Sequence, residues 1–211
     1  MSAPDFAEQF RQLVDAFDAI PGVGPQAARR MGRYVLSHPG SRALGESIVQ
    51  ARNSLNHCAQ CRMFTTEVLC ADCIAAETTA AETTTEKTTA ALFSGVLLVV
   101  EQADEALHWR EQGYTGPVFV LHGVLSPVAG VGPTQLGLAQ LKQRVAALQS
   151  QTLWLALQSD VAKGAGAEPS VEARATELFI RQMLPDKDVS LMNDNAITQA
   201  INNAIGETEC R

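Results

Sequence analysis

The sequence predicts an α/β protein in two parts: a helical N-terminal region with a four-cysteine metal site, and a larger domain around a mostly parallel sheet. Three observations predict it. Residues 57–73, "HCAQCRMFTTEVLCADC", hold four of the chain's five cysteines. From about residue 95 to residue 192, short apolar runs alternate with helix-length segments, the pattern of a sheet with helical crossovers. Ahead of the cysteines, two helical stretches flank the glycine turn "IPGVGP".

The elements follow in chain order. Phe6, Phe10, Leu13, Val14, Phe17 and Ile20 recur at helical spacing and predict a first helix. Pro21 breaks it, while Gly22 and Gly24 permit a tight turn. Pro25 suits the first position of a second helix, "QAARRMGRYVL". A third covers "SRALGESIVQARNSL", with Leu44, Ile48 and Leu55 on one face. Beyond the cysteines, "AAETTAAETTTEKTTAA" has no aromatic residue and no apolar set to pack, so it reads as a linker or long surface loop. The second half then alternates. "GVLLVV", "PVFVLHG", "TLWLALQ" and "VSLM" read as strands; "ADEALHWREQG", "PTQLGLAQLKQRVAALQ" and "VEARATELFIRQML" read as helices. In such sheets functional residues gather beyond the carboxyl ends of the strands, and Glu101, closing "LLVVE", takes that location.

The cysteines fall as Cys58-x2-Cys61, eight residues, then Cys70-x2-Cys73. Two such knuckles on a hairpin bring four thiolates round one tetrahedral ion, and soft sulfur ligands in that geometry select Zn²⁺. Two disulfides would need an oxidising compartment. The start "MSAPDFAEQF" lacks the basic, apolar character of a signal peptide, and no stretch has the length of a membrane span. A redox pair would use one Cys-x2-Cys rather than two. With four protein ligands the ion keeps no open position, so the expected role is structural. Cys210, one residue from the C-terminus, reads as an uncommitted thiol.

The 211 residues carry a formal net charge of −7, with 46% hydrophobic and 18% charged residues, an ordinary globular composition. The average charge argues against a polyanion partner, but it hides an asymmetry. Between Pro21 and Thr66 stand six arginines (Arg29, Arg30, Arg33, Arg42, Arg52 and Arg62) against the single acid Glu46. That stretch is net +5, and the rest of the chain is −12. A basic lobe on an acidic body fits a localised nucleic-acid footprint.

The two helices joined by "IPGVG" resemble a helix-hairpin-helix, a module that grips the DNA backbone without reading sequence. Glycines let main-chain N–H groups approach a phosphate, and the N-terminus of the next helix adds its dipole. Gly22, Gly24, Arg29, Arg30 and Arg33 are therefore the expected DNA contacts. The bland alternative, a packed glycine turn with a solvated arginine face, leaves the basic excess unused.

Three stretches together carry a wider resemblance: "IPGVGPQAARRM", "CAQC…CADC" and "FVLHGVLSPVAGVGPTQLGLAQL". They resemble the bacterial RecR recombination-mediator family, and "PSVEARATELFI" adds a fainter match. The resemblance implies a helix-hairpin-helix region over 1–56, a four-cysteine zinc finger over 57–74 and a linker over 75–94. It implies a Toprim-like domain over 95–189 and a C-terminal tail over 190–211. It further implies a cytoplasmic, nucleoid-associated, ring-forming homo-oligomer, without enzymatic activity, that acts with RecO and RecF to load recombinase on gapped DNA. Against the family pattern, Gln26 replaces a lysine after Gly-Pro, Ala173-Arg174 replaces Gly-Glu, "SDVAKGAGAE" is extra, and the glycine-rich stretch expected after Leu184 is missing.

An enzyme is the competing class. Catalytic Toprim proteins pair a glutamate with an Asp-x-Asp around Mg²⁺. Glu101 could serve, but the only Asp-x-Asp, Asp186-Lys187-Asp188, precedes its strand and so lies at the wrong end. Asp160 and Glu172 are single carboxylates near the correct edge and could assist only weak Mg²⁺ binding. Tyr34 and Tyr114 are not at nucleophile positions; His57 could be a spare ligand, but four cysteines already fill the shell, and His122 reads as structural. A third class, a zinc-stapled adaptor without DNA binding, leaves the basic lobe unused. The sequence thus predicts a DNA-binding protein with structural Zn²⁺ and no catalytic residue.

Overall fold

The computed structural model describes residues 5–81, 92–157 and 169–209. Cys210, Asp160, most of the threonine-rich stretch and all of "SDVAKGAGAE" lie outside these residues. The chain divides into two compact units, Met1–Leu55 and Asn56–Arg211.

The first unit is three helices: α1 (Phe6–Asp18), α2 (Pro25–Ser37) and α3 (Ser41–Ser54). The apolar stripe of α1 half-buries Phe10, Leu13, Val14 and Phe17. Helices α1 and α2 meet at Gly32, where a Cβ would stand 3.2 Å from both the Phe10 ring and a Val14 methyl. Only glycine allows that approach without displacing a neighbour. Among the described residues of this unit, Ala28 and Gly32 alone are fully buried.

The second unit begins with the cysteine module: β1 (Asn56–His57) and β2 (Phe64–Thr65), antiparallel with His57 opposite Phe64, then α4 (Ala71–Ala81). Helix α4 corrects the expectation of a linker from residue 75. The chain leaves Cys70 helically, with the Ile74 N–H on the Cys70 carbonyl, and continues through alanines that favour a helix.

The rest is an α/β sandwich. Strands β3 (Val96–Val100), β4 (Val118–Val120), β5 (Thr152–Ala156) and β6 (Asp188–Leu191) lie in the order β4-β3-β5-β6, every pair parallel. The connecting helices are α5 (Ala103–Glu111), α6 (Leu138–Leu148) and α7 (Val171–Met183). Side chains alternate between faces, so each apolar run feeds two cores. Leu97, Val99, Phe119, Leu121, Leu153 and Leu155 pack with α6 and α7. Leu98, Val100, Val118 and Val120 pack with Trp109 of α5 and with Ile197 and Ile201. Those isoleucines belong to α8 (Asp194–Glu209), which covers the second face where a tail was expected. Ile197, Ile201 and Ile205 recur every four residues, a helical signal the sequence already carries. No helix among the described residues is long and apolar enough to cross a membrane.

Candidate functional site

Local backbone geometry gathers the four cysteines. The first knuckle turns through the Cys58 N–H to the Met63 carbonyl (2.8 Å) and the Arg62 N–H to the Cys58 carbonyl (3.0 Å), with Arg62 left-handed at φ 64°. The second knuckle enters α4, which places Cys73 in the first helical turn. The Cys70 N–H donates to Cys58 Sγ at 3.3 Å, and Cys61 Sγ stands 3.4 Å from Cys70 Sγ.

All four Sγ atoms lie within 4.8 Å of one another. Thiolates about 2.3 Å from a zinc ion sit at tetrahedral edges of about 3.8 Å, so the donor set fits that ion. The thiols also crowd one another. Burial opposes the Cys58 thiolate, but surrounding backbone N–H donors outweigh it and bring that thiol down to about 6. A hydrogen bond with Cys73 and burial push Cys61 up, and burial pushes Cys70 up to about 11. Among the described residues, this is the one cluster of three or more Cys, His or carboxylate groups close enough to share an ion.

The module is fastened to the sandwich. The Val120 N–H of β4 donates to the Cys61 carbonyl (2.9 Å), and Arg62 Nη2 donates to the Gln135 carbonyl (3.0 Å). Arg110 of α5 pairs with Asp72 at 2.9 Å. His122 Nε2 meets the Arg62 carbonyl at 2.7 Å, and the His122 ring stacks on His57 at 4.1 Å with Phe64 tilted against both. Burial pulls both imidazoles down from their ordinary range; nearby charge adds to this at His57, while at His122 the bond to the Arg62 carbonyl opposes it. The stacked rings brace the joint between the module and the sandwich.

The carboxyl edge of the sheet carries Glu101, buried, with its N–H on Glu105 Oε2 at 2.9 Å. Glu172 is exposed in the first turn of α7. Asp188 stands level with Val96 across the sheet, since both register with Thr152, whereas Glu101 follows Val100. The Asp-x-Asp and Glu101 are thus at opposite ends of the strands, as the order of residues predicts.

Glu105, which the sequence reading missed, caps α5 by accepting from the Glu101 and Gln102 N–H groups. Burial raises its carboxyl from the ordinary 4.5 to about 7. The folded state therefore binds the proton more tightly than the unfolded one. The stability this adds is complete below about 4.5 and is lost as pH rises to about 7. Glu105→Gln is expected to remove that decline. Urea midpoints at pH 5, 6 and 8 check it, and equal slopes in variant and parent would contradict the assignment.

In the first unit, Gly22 takes φ 82° and Gly24 is the extended N-cap of α2, with Pro25 behind it. Added Cβ atoms at either glycine would meet nothing within 4 Å, so the turn is open to solvent. Arg29, Arg30 and Arg33 are all exposed on α2. Arg29 lines a cleft with Asp15, Asp18 and Gln26, and Arg30 and Arg33 are not part of that lining.

A glycine-turned helical hairpin, a four-cysteine cluster spaced to hold a metal ion and a parallel α/β sandwich define the class: an α/β protein with a helix-hairpin-helix at its start. Comparison with known proteins narrows the class. The family described as "RecR, helix-hairpin-helix" matches residues 10–52. The "Recombination protein RecR" of Legionella pneumophila (strain Philadelphia 1) is 34% identical over 183 residues, 85% of this chain and 80% of that protein. The "Recombination protein RecR" of Pseudomonas syringae pv. tomato is 34% identical over 184 residues, 86% of this chain and 80% of its own length. The chain belongs to the RecR family.

Proposed function

We propose that this protein is a recombination mediator in DNA repair that holds DNA by its phosphates and catalyses no reaction itself. The observation that carries the reading is the open Gly22–Gly24 turn beside the exposed Arg30 and Arg33 of α2. Such groups reach phosphates and have no base-edge code, so binding is sequence-independent. The sandwich is read as Toprim-like without catalysis, because Glu101 lacks an Asp-x-Asp at its own end of the sheet; any Mg²⁺ held by Glu101, Asp160 or Glu172 is weak. Structural Zn²⁺ on Cys58, Cys61, Cys70 and Cys73 cross-links the hairpin. The relatives' names and the helix-hairpin-helix match support the role, and RecO and RecF are the partners proposed for loading recombinase at gaps in the cytoplasm.

Assembly into a ring belongs to the same reading. The three-helix unit leaves Phe6 69%, Leu36 57%, Ile48 59% and Val49 59% exposed, apolar side chains that a partner surface could cover. A second copy of the chain is the occupant that a homo-oligomer supplies. One hairpin with few contacts binds weakly, and several copies presented together raise the effective affinity.

Arg30→Ala with Arg33→Ala tests the reading on gapped duplex DNA. Affinity is expected to fall, and the salt dependence to flatten by roughly one unit of slope for each phosphate no longer held. The fold is expected to survive, because exposed arginines contribute little to stability. Unchanged binding of the double variant at every salt concentration moves the DNA site elsewhere. A parent with no salt-sensitive binding favours the adaptor reading instead.

A further inference from the structure

A zinc ion held by four thiolates is an anion of charge about −2. Here it would be enclosed, since Cys58, Cys61 and Cys73 are only 1%, 3% and 2% exposed. An enclosed anion needs donors or positive charge from its surroundings, and the groups around the ligands supply them. Part comes from the module itself, as the Cys70 N–H on Cys58 Sγ. Another part comes from a helix more than sixty residues further along the chain.

Arg144 of α6 places Nη2 3.5 Å from Cys73 Sγ, in the second knuckle. Its Nη1 donates to Gln60 Oε1, inside the first knuckle, and Gln60 Nε2 donates in turn to Glu77 of α4. The Nε of Arg144 is buried and unpartnered. One guanidinium therefore touches both knuckles, and its described partners are a thiol sulfur and an amide oxygen rather than a carboxylate. The planar fork of arginine allows this double reach; the point charge of a lysine does not.

We propose that Arg144 is a positioning residue of the metal centre, which offsets part of the tetrathiolate charge and fixes both knuckles to α6. The proposal rests on the zinc reading above. It makes retention of the metal depend on a residue of the sandwich outside the cysteine motif.

The test follows transfer of zinc from reduced protein to the colorimetric chelator 4-(2-pyridylazo)resorcinol. Parent, Arg144→Met, Arg144→Lys and Lys142→Met are compared, Lys142 being exposed on the same helix. Arg144→Met is expected to release zinc roughly 10- to 100-fold faster, the range seen when a group supporting a metal ligand is removed. Arg144→Lys falls between, and Lys142→Met matches the parent. In Co²⁺-substituted protein, the thiolate-to-metal charge-transfer band moves in Arg144→Met and stays in Lys142→Met, a signature that mere loss of packing would not give. Parental release rates in Arg144→Met, or equal acceleration in Lys142→Met, overturn the proposal while the zinc reading stands. A parent without zinc removes both. Should Arg144→Met fail to fold, Arg144→Lys decides: release no faster than from Lys142→Met counts against the role.

Discussion

Replacing Cys61 by Ser is expected to abolish zinc binding and unfold the module over residues 56–77. The physical reason is the module's composition. Its own apolar contacts are the cysteines, packed with Met63 and Leu69. Its strands are two residues each, far below what an isolated hairpin needs to stand in water. On the zinc reading, metal binding supplies the folding free energy, on the order of 10 kcal/mol for structural zinc in small peptides near neutral pH. The sandwich should persist, because Leu97, Val99, Phe119 and Leu153 are fully buried without help from the module. Hydrogen exchange reads both parts at once: protection vanishes over 56–77 and remains in β3 and β5. Elemental analysis of the parent should find one zinc per chain. Retained protection over 56–77 in a zinc-free Cys61→Ser protein would falsify the account.

Gly137→Ala is expected to destabilise the second unit by about 3 kcal/mol, from two sources. Gly137 is left-handed at φ 65°, where a side chain costs about 1–2 kcal/mol. Its Cβ would also overlap Arg62 Nη1 and stand 2.9 Å from Arg62 Cδ. The guanidinium must leave, and with it goes the 3.0 Å bond to the Gln135 carbonyl, a charged-donor bond of about 1.5–3 kcal/mol. For a unit of this size the loss lowers Tm by roughly 10 °C. A double-mutant cycle separates the sources. With Arg62 already changed to Ala, adding Gly137→Ala should cost only the backbone share. Full additivity, or a single variant as stable as the parent, would show that Arg62 does not occupy that space.

What was legible in the chain was whatever one segment decides for itself. The parallel strands appear as unbroken apolar runs because both of their faces are covered, and Pro25 marks the start of α2 to the residue. Cysteine spacing alone foresaw the gathering of four sulfurs. Helix α6 begins at Leu138, later than "PTQLG" suggests, because the left-handed Gly137 closes a turn before it. Helix α4 was hidden by alanine and threonine, which give no amphipathic stripe, whereas α8 was readable from its isoleucines. The supports of the metal site left no mark. Arg62 with Gln135 and Arg144 with Cys73 are pairs more than seventy residues apart, and nothing in either local stretch announces the other.

Strand β4 is the outer strand on its side of the sheet, yet its outward-facing Val120 N–H is taken by the carbonyl of Cys61. An uncovered outer strand is a template on which a second chain can lay a strand of its own. The metal hairpin fills that position as a short cap would. On the zinc reading proposed above, solubility is tied to the metal through the backbone: loss of the ion is expected to bare the flank of β4, a surface open to strand-to-strand pairing and not simply a loosened loop.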